Sequence, residues 1–103
     1  MTGVQTCALP ISVRVPDPEA LDIIRRGAAR IVEVSDDEIA EAIRVLFSAT
    51  HSLAEGAGAA ALAALIKERG ALQGHRAGLI LSGQNIDRAM MQAVLAGETP
   101  RVA

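Results

Sequence analysis

Four residues of this 103-residue chain, Ser82-Gly83-Gln84-Asn85, bring together a hydroxyl, a bare backbone and two carboxamides. Such a set orients a ligand through neutral hydrogen bonds and holds no acid or base for efficient proton transfer. The plainer alternative is an ordinary turn with Asn85 as the N-cap of the next helix. A second constellation is Glu55-Gly56-Ala57-Gly58-Ala59-Ala60-Ala61. Glycines let a backbone approach a flat ligand or a neighbouring helix closely. The Gly-x-Gly-x-x-Ala spacing also hints at a dinucleotide loop, as in a nucleotide-binding oxidoreductase. That hint is weak, because the segment follows a helix rather than a strand and no acid lies about twenty residues on. Tight helix packing is the stronger alternative.

Other reactive types are less promising. His51 and His75 are general bases by type, but one follows an amphipathic helix and the other sits in a glycine-flanked turn, so solvated side chains are expected. Lys67 is the sole lysine and lies among charged residues at a helix end. Nothing there would depress its pKa, which argues against a Schiff-base role. Asp36-Asp37-Glu38 suits a helix cap rather than a metal, since consecutive helical carboxylates point in different directions. No zinc or EF-hand spacing occurs. Cys7 is the only cysteine, which excludes an intramolecular disulfide.

The elements that must position these groups follow from local signals. Asp17-Pro18-Glu19 is a helix start, with an N-cap carboxylate and Pro at the first helical position. Leu21, Ile24 and Ala28 then share a face, and Gly27 lies near the stop. Residues 30–34 read as a short strand. Ser35-Asp36-Asp37-Glu38 is a capping box, and its acids suit the helix dipole. Ile39, Ile43, Leu46, Phe47 and Thr50 continue it as the strongest amphipathic helix of the chain. Residues 56–69 predict a helix apolar nearly all round, with Gly70 at its C′ position. Residues 77–81 are a continuous apolar run bounded by turn signals, which predicts a buried, parallel strand. Residues 86–95 predict a last helix closed by Gly97. The order helix, strand, helix, helix, strand, helix predicts an α/β protein. Two strands cannot shield this much apolar material, so the expected sheet is incomplete. Ser82-Gly83-Gln84-Asn85 would then lie at a strand's carboxyl end, where open α/β sheets bind ligands.

Composition narrows the function classes. Half of the residues are hydrophobic, and Phe47 is the only aromatic one, so any core is built from Ala, Leu, Ile and Val. Ten basic against twelve acidic residues give a net charge of −2. With no basic stripe and no stacking aromatics, nucleic-acid binding has little support. The longest apolar run, residues 57–66, is too short to span a bilayer. No Lys or Arg precedes residue 12, which argues against a signal peptide. A cytoplasmic location is the default expectation.

Residues 1–11, MTGVQTCALPI, carry no charge and no periodicity. They resemble the translation of a common sequencing-library adapter read from a GTG start, with every codon matching. On that reading they are an artefact, and residues 12–103 form the natural segment.

Val13-Arg14-Val15-Pro16, the Val34-Ser35-Asp36 join, Ala54-Glu55-Gly56-Ala57-Gly58-Ala59-Ala60 and Leu81-Ser82-Gly83-Gln84-Asn85-Ile86-Asp87 occur in that order. Together they resemble the C-terminal third of the threonine/serine dehydratases, fold-type II pyridoxal-phosphate enzymes related to serine racemase, over residues 13–97. The resemblance implies part of a tryptophan synthase β-like large domain, with pyridoxal 5′-phosphate as cofactor. It also implies a lyase that converts L-threonine or L-serine to 2-oxobutanoate or pyruvate and ammonia. In the family's Ser-Gly-Gly-Asn-type loop the serine hydroxyl bonds the pyridine nitrogen, a role that falls to Ser82. Gly83 and Asn85 match the same loop, and Glu55 is a second, weaker cofactor contact. Gln84 departs from the family's usual glycine. A neutral hydroxyl makes the ring a weaker electron sink than a carboxylate partner would, which favours loss of the β-hydroxyl over reprotonation at the cofactor. The family's lysine segment, substrate-carboxylate loop and Gly-rich phosphate loop lie upstream of this region, so the chain alone is expected to be inactive. Its parent would be the short form without a regulatory domain, and a homo-oligomer. The alternative is a small, non-catalytic α/β domain that binds a ligand or a partner.

Overall fold

The computed structural model describes residues 15–101. The adapter-like residues 1–11 and the Val13-Arg14 start of the first motif lie outside the described residues.

Helix α1, Pro18–Gly27, begins as its sequence dictates: the Asp17 carboxylate accepts from the Glu19 and Ala20 amides at 2.9 and 3.1 Å. None of its residues is buried, so the shared face of Leu21 and Ile24 is not covered. Helix α2, Asp36–Thr50, opens with the full capping box. The Glu38 amide donates to Ser35 Oγ at 3.1 Å, and the Ser35 amide donates to the Glu38 carboxylate at 2.7 Å. It ends at His51, whose left-handed backbone (φ 57°) directs its amide to the Phe47 carbonyl at 2.9 Å. Thr50 turns away from the apolar face and donates to the Leu46 carbonyl at 2.7 Å.

Helix α3, Gly56–Lys67, stops two residues before the expected end. Gly70 does not take the left-handed conformation; a run of turns follows instead, and Gly74 supplies the positive φ of 82°. Helix α4, Arg88–Leu95, is capped not by Asn85 but by Asp87, whose carboxylate accepts from the Met90 amide at 2.8 Å. Gly97 closes it at φ 96°, with the Gly97 and Glu98 amides returning to Val94 and Ala93 carbonyls at 3.0 and 2.9 Å.

The α/β fold class is corrected by the structure. Helices α1 to α4 are the regular elements, and the described residues contain no strand and no sheet. Residues 30–34 and 77–81, both expected as strands, lie in irregular segments. A hydrophobic pattern states which side chains favour burial, whereas a parallel ladder takes every hydrogen bond from a neighbouring strand. Neither run has such a neighbour here, and the two do not pair with each other. The run expected to be buried reaches the surface instead, with Ile80 80% exposed.

The core forms where α2 packs along α3 and against α4. Ile39 and Ile43 of α2 and Val94 of α4 are fully buried, beside Ala59 and Ala63 of α3. Each such branched side chain contributes about 1.5–3 kcal/mol by leaving water. Polar ties reinforce this packing. Arg44 of α2 donates to the Val94 carbonyl at 3.0 Å, engaging the C-terminal turn of α4. Lys67 donates to the Glu33 carbonyl at 2.7 Å, and Arg30 pairs through both guanidinium ends with Glu68, so the segment before α2 is pinned to the end of α3.

Candidate functional site

The α2–α3 packing carries the Glu55 segment to the Ser82 loop. Ala54 is fully buried and anchors the turn between the helices. Glu55, the N-cap of α3, has an extended backbone and makes no side-chain cap. Its amide donates to the Gly83 carbonyl at 3.2 Å. This bond joins the two constellations that stand far apart in the sequence.

Both glycines at the junction are in close contact. A Cβ on Gly58 would overlap the Gly83 carbonyl oxygen, lie 3.0 Å from the Gly83 nitrogen and 3.1 Å from Leu81 Cδ1. A Cβ on Gly83 would meet the Glu55 carboxyl, whose Cδ would be 2.8 Å away. The Glu55 side chain therefore lies across the Gly83 backbone. A bare Cα is required at Gly58 for this approach, whereas at Gly83 only the flexible Glu55 side chain would have to move.

Ser82 and Asn85 are exposed, Gly83 and Glu55 half-buried. Among the described residues neither the Ser82 hydroxyl nor the Asn85 amide has a hydrogen-bond partner. The structure thus brings Ser82, Gly83 and Glu55 together, while Asn85 continues the loop toward Asp87. Gln84 is exposed as well. On the α4 side lies an open apolar groove of about 540 Å³, lined chiefly by Leu53, Ile86, Met91 and Leu95 and not by Ser82.

The remaining candidates stay apart from this junction. His51 is exposed, and its Nδ1 lies 3.2 Å from the Phe47 carbonyl, as the cap of α2. His75 is exposed in its turn. The Lys67 ammonium is engaged by the Glu33 carbonyl and lies 3.7 Å from the Glu38 carboxylate. No group of acids, histidines or cysteines that could hold a metal occurs among the described residues. None of the described helices is long and apolar enough to cross a membrane. Sequence reasoning missed the pairing of Gly58 with Gly83. Its only signal was a glycine in each motif, which does not say that the two meet.

Comparison with known proteins identifies the lineage. L-threonine ammonia-lyase of Thermotoga maritima is 31% identical over 93 residues, which cover 90% of this chain and 23% of that protein. L-threonine ammonia-lyase of Geobacter sulfurreducens is 39% identical over 87% of this chain and 22% of its own length. Phenylserine dehydratase of Ralstonia pickettii is 36% identical over 86% of this chain and 28% of its own length. The chain therefore spans about a quarter of the length of these relatives. No solved structure matches it. The sequence model of the pyridoxal-phosphate dependent enzymes matches residues 1–83, which include both the Glu55 segment and Ser82-Gly83. On that match the chain belongs to the pyridoxal-phosphate dependent enzyme family.

Proposed function

We propose that this chain is a segment of a lyase that dehydrates and deaminates L-threonine or L-serine, and that it supplies the contact to the cofactor's pyridine nitrogen. The observation that carries this reading is the Glu55 amide bond to the Gly83 carbonyl, which gathers the two family motifs into one junction with Ser82 exposed at its edge. The residues there fit a flat, neutral-edged ligand. Ser82 presents an uncommitted hydroxyl, Gly83 offers backbone without a side chain, and the close Gly58 contact keeps that backbone in place.

When bound, pyridoxal phosphate supplies the electron sink that allows removal of the α-proton and loss of the β-hydroxyl. The chain's own residues have smaller tasks. Ser82 keeps its proton and donates it in a hydrogen bond to the ring nitrogen, so no charge is placed there. Gly83 and Asn85 shape the loop, with Gln84 facing outward. Glu55 holds its carboxylate beside Gly83 and serves as a second polar contact. No residue of this chain is assigned a proton transfer. The amino-acid substrate belongs to the same proposal, supported by the named activities of the relatives; a homo-oligomeric parent and a cytoplasmic setting complete it as sequence-based expectations.

The test is Ser82→Ala in a full-length enzyme carrying this segment. Weakened cofactor binding and turnover lower by roughly tenfold or more are expected from loss of one charge-free orienting bond. Unaltered occupancy and rate would remove Ser82 from the site.

A further inference from the structure

We propose that Gly58 is a positioning residue for the Ser82 loop: its missing Cβ sets how closely α3 approaches the Gly83 backbone, and thereby where the Ser82 hydroxyl stands. The inference rests on the reading of Ser82 as the cofactor contact.

Gly58 is buried in the first turn of α3. The atoms that a Cβ there would strike are the Gly83 carbonyl oxygen and the Gly83 nitrogen at 3.0 Å. Both belong to the backbone and cannot rotate away as a side chain would. The same carbonyl accepts from the Glu55 amide at 3.2 Å. A methyl group at residue 58 therefore pushes on the carbonyl through which the Glu55 amide holds the loop, one peptide from Ser82. Leu81 Cδ1, 3.1 Å from the same point, closes the other side. The loop has to move as a unit.

Helix preference works in the opposite direction. Alanine favours a helix over glycine, so a Gly58 with only a local role would be improved by the change. Gly70 provides the contrast, since a Cβ there meets nothing within 4 Å. Gly83 itself differs from both, because its hypothetical Cβ meets only the flexible end of Glu55. Of these three glycines, Gly58 alone is set against immovable atoms.

The experiment uses the complete, cofactor-loaded enzyme carrying this segment and four variants: Gly58→Ala, Gly58→Ser, Gly70→Ala and Ser82→Ala. The cofactor-free forms are titrated with pyridoxal phosphate, and the absorption and emission of the bound cofactor are recorded beside the melting temperature. Both Gly58 variants are expected to weaken cofactor binding by roughly tenfold or more, as overpacking against a rigid neighbour does. Their spectra should shift in the direction of Ser82→Ala, while Gly70→Ala stays at the parent's values. Parent-like affinity and spectrum in Gly58→Ala, with Ser82→Ala altered, overturn the role of Gly58 and leave that of Ser82 standing. An unaltered Ser82→Ala overturns both. Should the Gly58 variants not fold, amide exchange in the unmodified enzyme decides. Cofactor binding is expected to slow exchange at Glu55 together with the Ser82 loop, and slowing in the loop alone overturns the coupling.

Discussion

A methyl group added at each glycine separates rigid from yielding neighbours around Ser82. Gly83→Ala would press on the Glu55 carboxyl, which can swing toward solvent. The expected loss is below about 1 kcal/mol, less than the 1–3 kcal/mol typical of overpacking against fixed atoms that Gly58→Ala incurs. Gly70→Ala should instead gain about 0.4–1 kcal/mol, because its Cβ meets open space and its φ is not positive. Denaturant unfolding of the three variants in the complete enzyme checks the ranking, and a Gly83→Ala loss as large as that of Gly58→Ala would contradict it. At this scale Ser82-Gly83 was legible by type as a neutral hydrogen-bonding pair, while the cofactor role of Ser82 and the place of Glu55 beside it came only from the family resemblance. Their meeting was not legible, since it depends on how α2 and α3 turn about Ala54. Nor could the sequence show that His51, rather than a glycine, takes the left-handed cap of α2.

Helix starts are the best-read elements, because a cap is a bond between neighbours. Asp17 and Ser35 cap as their spacing predicts. Ser35→Ala should therefore cost about 1 kcal/mol, measured as a lower unfolding midpoint, with no change in cofactor spectrum. Strand expectations failed for the converse reason: residues 30–34 and 77–81 needed partners that a local pattern cannot name. In place of a ladder, residues 30–34 are held by side chains. Arg30 grips Glu68, and this hydrogen bond holds the Glu68 carboxyl below its ordinary value of 4.5. Asp37 is likewise lowered, first by the Thr99 hydroxyl and then by the Arg101 charge. A carboxylate that titrates lower in the folded state stabilises fully above its unfolded pKa, and the contribution disappears as pH falls through the folded value. Stability should thus decline on acidification from about 4.5 downward, and Glu68→Gln should flatten that part of the curve while costing stability at neutral pH. The ion pair is partly open to solvent, so the effect shrinks in high salt. Parallel pH profiles for parent and Glu68→Gln would rule out the clamp as a contributor.

Among the described residues, packing covers the seam of α2, α3 and α4 and leaves other apolar side chains at the surface. Stable domains cover an apolar layer with a second one. Here α2, α3 and α4 share a core, yet Ile23 is 55% exposed, Ile80 80% and Leu53 46%. The expectation that two strands would need a larger sheet to shield this apolar material falls with the strands themselves, because burial preference does not specify a sheet. The Lys67 amine is already engaged by Glu33, and it is the only lysine in the chain. Two consequences follow for the 103-residue chain produced alone. It should release no 2-oxo acid from L-threonine in the presence of pyridoxal phosphate, because among the described residues no side-chain amine stands at the Ser82 junction. It should also show a helical far-ultraviolet signal together with dye binding and a broad melt, since its local caps persist while its apolar faces remain open. A sharp, cooperative melt without dye binding would mean that these faces find cover within the chain itself. That outcome would favour an independent binding domain over a segment of a larger lyase, and turnover of L-threonine by the chain alone would refute the assignment of the proton-transferring amine to a part of the enzyme beyond it.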